Sequence, residues 1–139
     1  MTIEEAQQEI IDDFEFLTDW MDKYELIIQM GKELPAMDEQ YKIEENLIKG
    51  CQSHVWLHAE MQEGKIVFSA DSDALITKGL VALVIKVLSN HTPKEIMESN
   101  IHFIEGIGLR SHLSPTRSNG LLSMLKQMKN YAVGFLASK

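Results

Sequence analysis

Cys51 is the single cysteine of the 139 residues, and its setting is unlike that of a buried structural thiol. The run is Asn46-Leu47-Ile48-Lys49-Gly50-Cys51-Gln52-Ser53-His54-Val55-Trp56. A glycine precedes the thiol, and two small polar residues follow it before an alternating segment. A lone thiol limits the chemistry. It forms no internal disulfide and builds no cysteine-rich zinc or iron–sulfur site by itself. What remains is a nucleophile, a covalent carrier, or a small hydrophobe. As a nucleophile it reacts as the thiolate, so its surroundings set its reactivity. Gly50 allows backbone conformations that other residues resist. Ser53 and turn N–H groups are candidate donors to a sulfur anion.

A cysteine-dependent hydrolase or thiol peroxidase is the alternative chemistry. It needs a base brought by the fold, and nothing in the order of residues selects one among His54, His58, His91, His102 and His112. His54 lies three residues from Cys51, but an extended segment from residue 54 onward directs it along a strand. A resolving cysteine is also missing. Metal ligation lacks a motif, with no H-E-x-x-H and no cysteine pair. Two other clusters carry charge in unusual places. Asp71-Ser72-Asp73 stands between an expected strand and an expected helix. It reads as a helix cap with carboxylates at the positive end of the dipole, or as a pair of carboxylates facing a partner. Arg117 lies in Ser114-Pro115-Thr116-Arg117-Ser118-Asn119-Gly120, where a helix begins. A cation there opposes the helix dipole, which calls for an ionic partner in this chain or another.

The elements that position these groups are legible as changes of period. Thr2 and Glu5 form a capping-box pattern, and Ile3, Ala6, Ile10, Phe14 and Leu17 recur on one helical face. A second helix is expected from about Asp19, with Trp20, Tyr24, Ile27 and Ile28 apolar and Gly31 as its stop. Residues 33–47 read as a connecting loop. Val55, Leu57, Ala59 and Met61 then alternate with Trp56, His58 and Glu60. Glu63-Gly64 marks a turn, and Ile66, Phe68 and Ala70 alternate again, which predicts an antiparallel hairpin. Ala74 to Leu88 is apolar on most sides, so a buried helix is expected. Gly79 within it implies close packing against the sheet or the Cys51 loop. Thr92-Pro93-Lys94-Glu95 starts a short helix. Residues 100–113 read as irregular, and the last helix carries Leu121, Leu125, Met128, Ala132 and Phe135 as its stripe. Helices flanking a small antiparallel sheet make an α+β domain, with the thiol on the loop that leads into the hairpin.

Composition bounds the function further. The length fits one domain, residues 1–139. A net charge of −8 with 13 scattered basic residues is a poor match to phosphate backbones, so no nucleic-acid partner is expected. The longest apolar stretch falls short of the ~20 residues that span a bilayer, so no membrane partner is expected either. One reduced thiol and no secretory leader pattern point to the cytoplasm.

Four blocks together resemble the SufE family, the sulfur-acceptor proteins of iron–sulfur cluster assembly. Trp20-x-x-Lys23-Tyr24-x-x-Ile27-Ile28-x-x-Gly31-x-x-Leu34-Pro35 is similar to its N-terminal signature. Asn46-x-Ile48-x-Gly50-Cys51-Gln52-Ser53-x-Val55-Trp56 is similar to its acceptor loop. Asp71-Ser72-Asp73-Ala74-x-Ile76-x-Lys78-Gly79-Leu80 and His112-Leu113-Ser114-Pro115-Thr116-Arg117-Ser118-Asn119-Gly120-Leu121 resemble the later blocks. Residues 98–110 match no motif. The resemblance implies an α+β fold with a small antiparallel sheet of about three strands, shared with IscU-type scaffolds. Those scaffolds carry several cysteine ligands and this chain carries one.

The implied role is a sulfur carrier rather than an enzyme. Cys51 takes persulfide sulfur from a SufS-like, pyridoxal-phosphate-dependent cysteine desulfurase, stimulates that enzyme, and passes sulfur to a SufBCD-type scaffold. The cofactor belongs to the partner, and no cofactor or metal is expected in this chain, as monomer or homodimer. Gly50, Gln52 and Ser53 become the loop that presents the thiol. Asp71 and Asp73 become loop-supporting or partner-facing groups, and Arg117 an electrostatic support.

Overall fold

The computed structural model describes residues 1–49, 53–109, 113 and 115–138, with the backbone alone at 115 and 116. Two helices open the chain, α1 (Ile3–Glu15) and α2 (Trp20–Glu33). The strands β1 (Val55–Gln62) and β2 (Lys65–Ser72) follow, then α3 (Leu75–Leu88), α4 (Pro93–Glu98), α5 (Phe103–Gly106) and α6 (Pro115–Ala137). The α+β architecture expected from the change of period is the one observed.

Local chemistry explains most of the boundaries. Both capping boxes form: Thr2 and Glu5 exchange bonds at the start of α1, and Thr92 and Glu95 do so at α4. The Asp19 carboxylate accepts from the Met21 N–H and caps α2. The hairpin turns at Glu63 and Gly64, with φ of 53° and 81°. Two successive positive φ values are the conformation that matches the twist of paired strands across a two-residue loop. The register runs from Val55↔Ser72 to Gln62↔Lys65.

About three strands were expected. Among the described residues there are two, and each edge is extended only by a single bridge, Leu47↔Trp56 on one side and Ile66↔His91 on the other. The 33–47 connector contributes two 3₁₀ turns, Glu39–Tyr41 and Glu44–Asn46, not a strand. It lies against the outer face of β1, where Tyr41 stacks on His58 at 3.6 Å.

One contiguous core runs from Ile3 of α1 through Leu57, Ile66, Leu83 and Leu88 to Met128 of α6. Burying each such side chain contributes about 1.5–3 kcal/mol. The α1 face predicted from spacing is buried at Ile3, Ala6, Ile10 and Phe14. α3 has eight buried residues, as its near-continuous apolar sequence predicts. The stretch expected to be irregular contains the one-turn α5. Its order comes from the buried Gln7. Gln7 Oε1 accepts from the N–H groups of His102 and Phe103, while its Nε2 donates to the Asn100 carbonyl.

Two glycine expectations are corrected. Gly31 does not end α2, which continues to Glu33. The atoms nearest to Gly79 belong to Ile27 of α2, and residues 50–52 of the thiol loop lie outside the described residues. The two glycines meet each other where α2 crosses α3. A Cβ on Gly31 would lie 2.8 Å from the Gly79 nitrogen, and a Cβ on Gly79 would lie 2.7 Å from the Ile27 carbonyl carbon. Backbone of α3 at Gly79 occupies the space a Gly31 side chain would need, and Ile27 of α2 occupies the space a Gly79 side chain would need. No helix is long and apolar enough among the described residues to cross a membrane.

Candidate functional site

The loop that carries the cysteine is closed at its base by pairing between the residues before it and the start of β1. The Ile48 N–H donates to the Val55 carbonyl at 2.8 Å, and Leu47 bridges to Trp56. Gly50, Cys51 and Gln52 lie outside the described residues, whereas Ser53 and everything after it in β1 are described.

The C-terminal side of this loop is fastened to the segment ahead of α3. Asp73 Oδ1 accepts from the His54 N–H at 3.0 Å, and Oδ2 lies 2.8 Å from the His54 Nδ1. The Asp73 N–H returns a bond to the His54 carbonyl at 3.3 Å. The hydrogen bond from the His54 ring, opposed by slight burial and helped by the His54 backbone, holds the Asp73 carboxyl below its usual range. One turn on, the Ser53 hydroxyl donates to Thr77 Oγ1 at 3.3 Å. The cap reading of Asp71-Ser72-Asp73 is therefore corrected. α3 has Ala74 at its N-cap, which offers no side-chain cap; the Ser72 hydroxyl accepts from the Ala74 N–H at 3.3 Å, and both carboxylates are turned to other partners.

Asp71, the next-to-last residue of β2, takes a different set of partners from Asp73, which lies just past the strand's end. Lys42 Nζ lies 2.8 Å and Lys78 Nζ 3.3 Å from its oxygens. Burial pushes its carboxyl up, but Lys42, the Ser72 N–H and Lys78 outweigh this and hold it below the ordinary 3.8. Lys42 also sits 5.8 Å from the centre of the Trp56 ring. Asp71 thus ties the 33–47 connector and α3 to the sheet. A depressed folded pKa contributes stability above the unfolded value and loses it as pH falls through the folded one. Acidification from pH 5 to pH 3 is therefore expected to lower the Tm of the wild type more steeply than that of Asp71→Asn. Calorimetry across that range checks it, and parallel curves would remove the role assigned to these lysines.

Beside the loop lies a cavity of about 240 Å³, lined by Ser53, Val55, Thr77, Leu80, Arg117 and Met124 among others. Its floor comes from α3 and α6 and is apolar. Its polar groups are two hydroxyls and the Arg117 guanidinium. Such a cavity favours a small anion, because a cation and a hydroxyl donor stabilise negative charge where water is partly excluded. Of the residues expected at the site, Ser53 and Arg117 meet at this cavity. Asp73 holds the residue next to Ser53, and Asp71 stands behind the strand.

Thr77, Lys42, Lys78 and His54 also hold this region, without having been singled out as site residues. Lys78 sits inside a block matched by resemblance, whereas nothing in the connector distinguishes Lys42 from other surface lysines. The remaining described histidines are engaged elsewhere: His58 with Tyr41, His91 beside Glu95, and His102 with Glu4. None of them lines the cavity, and His112 lies outside the described residues. No group of three potential metal ligands converges among the described residues.

The match to known proteins covers the whole of this arrangement. Residues 8–132 match SufE, described as an Fe-S metabolism associated domain. An uncharacterized SufE-like protein of Rhizobium meliloti is 44% identical over 133 residues, covering 92% of this chain and 95% of the relative. One from Synechocystis is 41% identical over 126 residues, covering 91% and 79%. The SufE-like protein 1 of Arabidopsis thaliana, named chloroplastic/mitochondrial, is 42% identical over 127 residues. These are 91% of this chain but 34% of that longer protein. A solution structure of a hypothetical protein from Thermus thermophilus superposes with a TM-score of 0.78, covering 95% of this chain and 96% of the other. At 19% identity it speaks to the fold alone. With the family match running from within α1 into α6, and relatives above 40% identity across nearly all of the chain, the protein belongs to the SufE family of iron–sulfur metabolism.

Proposed function

We propose that this protein is a sulfur carrier of one domain, residues 1–139, in the cytoplasm, and that Cys51 accepts sulfur from the persulfide of a SufS-like cysteine desulfurase. The observation that carries this reading is the Ser53–Arg117 cavity. Ser53 is two residues from Cys51 in the chain, a separation that two peptide units hold to about 7 Å. A cavity with a cation and two hydroxyls at that reach suits a sulfur anion.

The transfer balances without an added oxidant. The Cys51 thiolate attacks the outer sulfur of the donor persulfide. The donor's sulfur–sulfur bond breaks as the new one forms, and the donor cysteine leaves as a thiolate. The proton lost by Cys51 is matched by the one the leaving thiolate takes up. The same step, run against a thiolate of a SufBCD-type scaffold, delivers the sulfur. Pyridoxal phosphate resides in the donor and generates its persulfide. This chain's part is to present one thiol, shelter the product, and stimulate the donor by removing its sulfur. Having no second cysteine protects the cargo, since a neighbouring thiol would attack the persulfide and release sulfide.

Intact-mass measurement after incubation with a matched desulfurase and free cysteine tests the reading. The expected result is a gain of one sulfur atom on Cys51, reversed by a thiol reductant. No gain overturns it. The Asp73 clamp gives a second test. Removing a hydrogen-bonding partner of this kind costs about 1 kcal/mol. Asp73→Ala is therefore expected to speed hydrogen exchange at the His54 amide about fivefold and to raise the alkylation rate of Cys51. Unchanged rates at both would separate Asp73 from the thiol loop.

A further inference from the structure

The carboxylates of α1 and α2 divide into two sets. Residues 1–33 hold ten carboxylates and two lysines, a balance of −8 that equals the net charge of the whole chain. Several of the ten serve the fold. Glu4 pairs with His102, Glu9 with Lys86, Glu5 closes a capping box and Asp19 caps α2. Asp13, Asp22 and Glu25 bind no described residue, and these three line one groove between α1 and α2, whose apolar residues are the half-buried Leu17 and Leu26. Asp22 and Glu25 stand three apart on one helix, where like charges repel.

Two exposed apolar side chains are sequence neighbours of the groove residues Leu17 and Asp22. Phe16, the last residue before the connection, is 86% exposed, the largest value among the big apolar side chains described, and Met21 is 67% exposed. An apolar floor, carboxylates on the rim that bind no described residue, and two exposed apolar neighbours form a face that no described residue covers.

Charge selects the occupant. A nucleic acid or an anionic bilayer is repelled by this face. A second copy would bring the same negative face against it. A bound cation does not account for it, since no group of three potential ligands converges among the described residues. We propose that the α1–α2 groove docks a lysine- or arginine-bearing amphipathic segment of another protein, at a surface separate from the thiol cavity, with which it shares no lining residue. The cations meet Asp13, Asp22 and Glu25, and the segment's apolar side enters between Leu17 and Leu26 against Phe16. Because it does not depend on the role of Cys51, the proposal stands or falls apart from the sulfur-carrier reading.

The test uses the full chain, ¹⁵N-labelled, titrated with a designed helical peptide of lysine and leucine. Resonance shifts centred on residues 13–29 are expected. Asp13→Asn/Asp22→Asn/Glu25→Gln is expected to weaken Kd at least tenfold, and Phe16→Ser is expected to weaken it as well. Glu39→Gln/Glu44→Gln/Glu45→Gln changes the net charge by the same amount and is expected to leave Kd within twofold. Equal weakening by the two triple variants, shifts scattered over the acidic surface, or equal affinity for a glutamate–leucine peptide would overturn the proposal. So would calcium ions shifting the same groove resonances at micromolar concentration, or self-association through this face.

Discussion

Cys51→Ser is expected to abolish sulfur acceptance while leaving folding intact. A hydroxyl cannot form the sulfur–sulfur bond on which the transfer depends, so the loss is complete, not partial. The core runs through Leu57, Ile66, Leu83, Leu88 and Met128, and the loop base is held by Ile48, Val55, His54 and Asp73, all untouched by the change. Three measurements on the one variant separate the possibilities. Intact mass after incubation with desulfurase and cysteine should show no added sulfur. Thermal unfolding should coincide with the wild type within about 1 °C, an expected cost under about 0.5 kcal/mol. Desulfurase turnover should not be stimulated. Full stimulation by the variant would mean that the protein acts as an adaptor and that the thiol is not its working group. Arg117→Ala, which leaves the thiol in place, is expected to slow the transfer without eliminating it, since it removes only the cation of the cavity.

Gly79→Ala is expected to be the most destabilising of the glycine-to-alanine changes among the described residues. The added carbon would overlap the Ile27 carbonyl group and its side chain. The clash is with backbone, so a rotamer change cannot relieve it, and α2 must move away from α3. Overpacking typically costs about 1–3 kcal/mol and sometimes more, and a clash against main chain belongs at about 3 kcal/mol or above. The helix propensity gained by replacing glycine with alanine, at most about 1 kcal/mol, does not offset it. Gly31→Ala meets the same crossing from the other side, at 2.8 Å from the Gly79 nitrogen, and should cost less. Gly134→Ala, where nothing lies within 4 Å of the new carbon, should stabilise slightly. Denaturant unfolding of the three variants checks the order. Were Gly79→Ala as stable as the wild type, α2 and α3 would not cross as described.

Features written over a few residues were legible before the fold was known. Thr2 with Glu5 and Thr92 with Glu95 closed as predicted because both partners lie within one turn. Glu63-Gly64 turned the hairpin because its backbone conformation is a local property. Where local patterns and distant neighbours competed, the neighbours won. Gly31 has the composition of a helix end but lies within α2 because α3 presses against it. Asp73 has the composition of a cap but turns to His54.

The amino-acid order alone therefore determined the positions of the main helices, the hairpin and its turn, the family, and Cys51 as the single thiol, since these follow from period, short-range hydrogen bonding, residue blocks and counting. Only the tertiary structure decided that Asp71 binds Lys42 and Lys78, that Asp73 clamps His54, that Ser53 and Arg117 share a cavity, and that two glycines let α2 and α3 touch. Those contacts join residues far apart in the chain, and their energy exists only once the core has brought the elements together.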